Sequence, residues 1–168
     1  GGGSIGQDAA ITVATNGTLL IASAANFAKS LYGRLTNAGT ITWQPHSGLL
    51  IGGVLHNLPG ALFDAQLDGT ISQGGGGQIV NEGVFRKSVG VGTVSCAVPL
   101  INSGTVDTQL GTVVMSDGSR FNADCAFTGS GTTRLDSGTN SINGAIYSEN
   151  LALLYNATLT GAGSFSGT

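Results

Sequence analysis

Apolar and polar residues alternate along this chain in short bursts, as in Thr40-Ile41-Thr42-Trp43 and Gly104-Thr105-Val106-Asp107-Thr108. A period of two sends successive side chains to opposite faces of an extended strand. Turn residues such as Asn16-Gly17, Asp68-Gly69, Asp117-Gly118 and Asn143-Gly144 separate the bursts. No helical periodicity fills the gaps. The pattern predicts strands of about four to six residues joined by tight turns.

The bursts also recur. Asn16, Asn37, Asn57, Asn81, Asn102, Asn122 and Asn143 are separated by 21, 20, 24, 21, 20 and 21 residues. Three of them open one phrase: Asn37-Ala-Gly-Thr-Ile, Asn81-Glu-Gly-Val-Phe and Asn102-Ser-Gly-Thr-Val. A fixed period of about twenty residues marks a solenoid, in which no coil buries its apolar face alone. With each Asn as position zero, position four carries Leu20, Ile41, Ala61, Phe85, Val106, Ala126 and Tyr147, which predicts an interior column. Equivalent residues of stacked coils then lie about 4.8 Å apart.

About 21 residues hold three short strands and three turns, so the expected fold is all-β, a parallel β-helix of roughly eight coils. Residues 1–10 read as a glycine-rich lead-in and 11–168 as one solenoid domain, part of a longer chain or of a stacked assembly. The long interval from Asn57 to Asn81 contains Gly74-Gly75-Gly76-Gly77. Removing three of these glycines restores the period, so the run is expected to be a bulged corner. Stacked asparagine amides are expected to form a ladder, with Asn tolerating a left-handed corner and the Gly two residues on supplying a positive φ.

Composition narrows the partners. Only 9% of residues are charged, against a usual ~25%, and Gly supplies 29 positions against 3 for Pro. The net charge is −3 with a pI near 5.0, and the six basic residues are scattered. Nothing provides the basic stripe that offsets phosphate charge, so nucleic acid is not an expected partner. The longest apolar runs are too short to span a bilayer, and Gly1-Gly2-Gly3-Ser4 lacks the character of a signal peptide.

The phrases Leu35-Thr-Asn-Ala-Gly-Thr-Ile, Ile79-Val-Asn-Glu-Gly-Val-Phe and Leu100-Ile-Asn-Ser-Gly-Thr-Val resemble the repeats of large bacterial secreted and surface β-solenoid proteins, of the adhesin and autotransporter-passenger type. The likeness is clearest over residues 35–115. Asn122 and Asn143 depart from the Asn-x-Gly form. The resemblance implies a right-handed coil and an extracellular or cell-surface, mostly non-enzymatic role. Expected partners are neighbouring coils, copies of the chain, and cell-surface glycans or a host surface.

Pectate lyases and phage tailspike glycosidases share parallel β-helix architecture and work with clustered carboxylates. The one candidate pair here is Asp117 and Asp136, at positions fifteen and fourteen of adjacent coils. Such a pair can share a cation or divide acid and base roles. Both belong to turn phrases, where Asp is favoured for its local backbone hydrogen bond, and that is the preferred reading. No catalytic residue, metal ligand or cofactor is therefore expected.

The remaining candidates read as structural. Arg86 and Asp107 share position five of consecutive coils, and Lys87 is expected to face Asp64 across adjacent rungs. His46 and His56 fall at unrelated phases and are expected on the surface. Cys96 and Cys125 are expected to be buried thiols, a disulfide being the alternative. Trp43 is expected to fill a corner beside Phe63, with sugar stacking as the alternative. Asn16-Gly-Thr and Asn156-Ala-Thr match the glycosylation sequon. The preferred role is a structural or adhesive module, followed by a self-assembling filament subunit and then a carbohydrate-processing enzyme.

Overall fold

The computed structural model describes residues 2–45, 48–115, 118–153 and 156–167. These residues form short strands and no helix. The strands stack into three parallel sheets of eight. The first runs from Ser4–Ile5 to Leu151–Leu153, the second from Ala10–Val13 to Thr158–Thr160, and the third from Thr18–Ile21 to Ser164–Ser166. Each strand pairs with the one three places further along, so the chain visits the sheets in turn. The result is a parallel β-solenoid of about 7 turns with about 21 residues per coil. The first rung begins inside the expected lead-in, since Ser4 and Ile5 pair with Ser30 and Leu31.

Alternation within each strand sends one face inward, and stacking completes its burial. Leu49, Ile71, Cys96, Met115 and Leu135 line the first sheet; Leu35, Leu55, Ile79 and Leu100 line the second. Ile41, Phe63, Phe85, Val106 and Phe127 line the third. Phe63 and Phe85 stack with ring centroids 5.1 Å apart. Trp43 lies wholly inside, opposite small Ala65 on the next rung, and so presents no face to a sugar.

The expected position-four column is half right. Ile41, Phe85 and Val106 face inward, whereas Leu20 and Tyr147 are exposed and Ala126 faces outward beside buried Phe127. Ala61 is buried, but in a corner, and Phe63 takes its place in the column. The reason is that corners differ in length, and a one-residue shift turns a strand residue to the other face.

Corner lengths also correct the account of the tetraglycine. Gly52 and Gly53 separate Ile51 from Val54, while Gly74 to Gly77 separate their partners Gln73 and Gln78. Gly75 and Gly76 adopt φ of 92° and 85° there. The rest of the long interval arises at Leu58 to Ala61, which takes the place of Ala38-Gly39 one coil earlier. The four glycines thus explain half of it.

The glycine of Asn-x-Gly serves a purpose other than positive φ. Gly39, Gly83 and Gly104 are outside that region. A Cβ on them would lie 2.3 Å from the Ala14 carbonyl oxygen, 2.4 Å from that of Ala61 and 2.2 Å from that of Gly83. Glycine permits one corner to sit directly on the next. The asparagines are not left-handed either: among the described residues, Asp124 is the non-glycine residue with positive φ.

Candidate functional site

The most ordered polar feature is internal. Strand register places Asn37 beside Asn57, Asn57 beside Asn81 and Asn81 beside Asn102 on the second sheet. All four side chains are buried. Asn37 Nδ2 donates to Asn57 Oδ1 at 2.8 Å, Asn57 Nδ2 to Asn81 Oδ1 at 2.8 Å, and Asn81 Nδ2 to Asn102 Oδ1 at 2.7 Å. The same nitrogens also donate to the carbonyls of Leu62, Val84 and Thr105 on the third sheet. An amide that both accepts and donates meets the demand that buried polar groups be paired. The ladder therefore ties neighbouring coils together and pins the corner between two sheets.

Asn16, Asn122 and Asn143 are outside this ladder. Asn16 lies in the turn that follows Val13, and it is Val13 that pairs with Asn37. Five residues separate Lys87 from Thr93, but only three separate their partners Thr108 and Thr112. The shorter corner brings Phe121 beside Asn102. Asn122 therefore faces outward, where its Oδ1 accepts from Asn143 Nδ2 at 3.4 Å. At its lower end the ladder meets Cys125, where burial pushes the thiol up to about 11 against the hydrogen bond from Asn102, with the nearby Asp124 charge adding to the rise.

A second buried amide escaped the period. Asn140 is fully buried and its Oδ1 accepts from the Ser119 backbone N–H at 2.8 Å. Asn140 alternates with inward Ile142, and that local signal marks it better than the repeat of twenty does.

The charged residues form separate local pairs. Arg86 lies between Asp64 and Asp107 on adjacent rungs and donates through Nε to Asp107 at 2.8 Å. Lys87 faces inward and opposes Ala65, so its expected pairing with Asp64 is replaced. Its buried ammonium donates to Asp68 at 2.7 Å and to the carbonyls of Leu67, Val89 and Gly90. Asp68 also accepts from the Gly92 N–H. This cluster holds a corner much as a bound cation would.

His56 sits between Arg34 and Glu82, its Nδ1 3.3 Å from the guanidinium and its Nε2 3.0 Å from the carboxylate. Both ring nitrogens are engaged. His46 lies outside the described residues. So does Asp117, one half of the candidate acidic pair. The other half, Asp136, accepts two bonds from Arg134 at 2.6 and 2.7 Å, which makes it an ion-pair partner. Cys96 and Cys125 are buried thiols not joined in a disulfide, and the sequon residues Asn16 and Asn156 are exposed.

Among the described residues, no three His, Cys, Asp or Glu side chains converge on a metal position. No helix among them is long and apolar enough to cross a membrane. In comparisons with known proteins, the chain matches no protein-family model, no curated protein and no solved structure.

Proposed function

We propose that this chain is a non-enzymatic structural module, a stiff β-solenoid spacer within an extracellular or cell-surface protein that displays its outer faces to adhesive partners. The observation that carries the reading is the buried amide ladder from Asn37 to Asn102, continuous with an apolar core on all three sheets. Its polar chemistry serves the stacking of coils, and the charged pairs fix register and corners without sharing a cleft. The repeat phrases, which resemble those of bacterial surface β-solenoids, support the setting. Low charge and tight corners give a protease few flexible sites.

The test is electron microscopy of the purified chain together with limited proteolysis. Short, straight, isolated rods that resist cleavage are the expected result. A collapsed particle or rapid digestion throughout the coils would refute the spacer. Binding to cell-surface glycans, measured on an array, tests the adhesive part separately.

A second reading is a filament subunit. Ile11, Leu153 and Phe165 belong to inward columns yet are 45%, 49% and 52% exposed at the two end rungs. Beside the first rung a cavity of about 190 Å³ is lined by Ile5, Leu19, Ile21, Leu31 and Leu55. Further rungs of the same kind would cover these residues. Sedimentation that stays monomeric at high concentration would remove self-assembly.

A further inference from the structure

The outer face of the second sheet carries a depression that spans three consecutive coils. Arg120, Thr139, Ser141, Asn143 and Thr160 border it, Gly118 adds no side chain, and the hollow, open to solvent, measures about 480 Å³. Strand pairing stacks Arg120, Ser141 and Thr160 in one outward column. Among the described residues, the lining holds one guanidinium, three hydroxyls and an amide.

Arg120 differs from the other basic residues. Arg34 engages His56, Arg86 engages Asp107, Lys87 engages Asp68, Arg134 engages Asp136, and Lys29 has a partner. Among the described residues, the Arg120 guanidinium makes no hydrogen bond or ion pair. Next to it, Ser141 Oγ accepts from Asn143 Nδ2 at 3.5 Å, which leaves the hydroxyl proton available to donate outward. Two sets of free donors thus lie on adjacent rungs, about 4.8 Å apart along the stack.

The geometry points to an oxyanion site: this depression binds the carboxylate or sulfate group of a small acidic ligand. The planar Arg120 fork takes two oxygens and the Ser141 hydroxyl reaches a third or a neighbouring hydroxyl of the ligand. Guanidinium geometry matches such groups, and charge-assisted bonds of this kind are about twice as strong as neutral ones. The proposal is independent of the spacer reading, because it concerns the outer face and leaves the core untouched.

The experiment is an amide NMR titration of the full chain with sodium acetate, sodium glucuronate and sodium sulfate, with ionic strength held constant by sodium chloride. Saturable shifts are expected at Gly118 to Arg120, Ser141 and Thr160. R120Q, an exposed outward change, should weaken binding at least about tenfold while the rest of the spectrum overlays the parent. R120K should fall between the two, and D117N, which alters the neighbouring acid in sequence, should retain binding. Saturation by acetate and glucuronate or by sulfate identifies which oxyanion is preferred. Shifts that never saturate with any of the three, equal affinity in R120Q, or loss in D117N with retention in R120Q would overturn the site.

Discussion

Replacing Asn81 by alanine removes the middle of the ladder. The parent side chain accepts from Asn57 at 2.8 Å and donates to Asn102 at 2.7 Å and to the Thr105 carbonyl at 3.1 Å. The N81A change leaves Asn102 Oδ1 buried without that donor, while Asn57 Nδ2 keeps its bond to the Val84 carbonyl. Each lost bond contributes about 1 kcal/mol, and an orphaned buried acceptor costs about 1–3 kcal/mol more. The sum over the three bonds and the orphaned acceptor is a loss of about 4–6 kcal/mol, measured by urea denaturation followed by circular dichroism. N122A, on the outward face, is the control and should stay within about 0.5 kcal/mol. In the cycle with N102A, the double variant should cost about 1–2 kcal/mol less than the sum of the singles, since both remove the Asn81 to Asn102 bond. Strict additivity, or a cost for N81A no larger than for N122A, would refute the coupled ladder.

Three further outcomes follow from the same geometry. The thiol of Cys125 is raised to about 11 by burial, so it favours the folded state below the ordinary thiol range and loses that contribution as pH climbs from about 9 to about 11. Stability should fall over that window by at most about 3 kcal/mol more in the parent than in C125A, and by less where solvent screens the site, and parallel pH profiles would contradict it. K87M should cost about 2–4 kcal/mol, because three carbonyls and Asp68 lose their buried donor. D68N, at a half-exposed position, should cost about 1 kcal/mol or less. Equal effects of K87M and D68N in thermal melts would deny the ammonium its corner-holding role. G104A places a Cβ 2.2 Å from the Gly83 carbonyl oxygen, and the forced shift should cost about 1–3 kcal/mol in the same melts. A neutral result would mean that the stacked corners have slack.

Much of this protein is determined locally. Alternation of two makes strands, glycine and asparagine make corners, and a repeat near twenty-one makes the strands of successive coils stack, because each burst needs a neighbour to bury its face. The pairing of Arg86 with Asp107 was legible for the same reason: equal phase means adjacent rungs. Which side chains point inward was less legible. Corners of two, three, four or five residues shift the phase, so Asn122 turns outward while Phe121 replaces it, and Leu20 is exposed while Leu19 takes the inward place. Lys87 shows the limit most clearly, since a lysine in a strand reads as solvent-facing until the carbonyls of Leu67, Val89 and Gly90 are brought around it. The free donors of Arg120 and Ser141 are likewise a product of stacking, as 21 residues separate them in sequence and one rung separates them in space. Sequence alone determined the solenoid, because period and alternation are local quantities. Only the tertiary structure decided which polar groups are buried, paired or left open, because that depends on corner lengths accumulated along the chain.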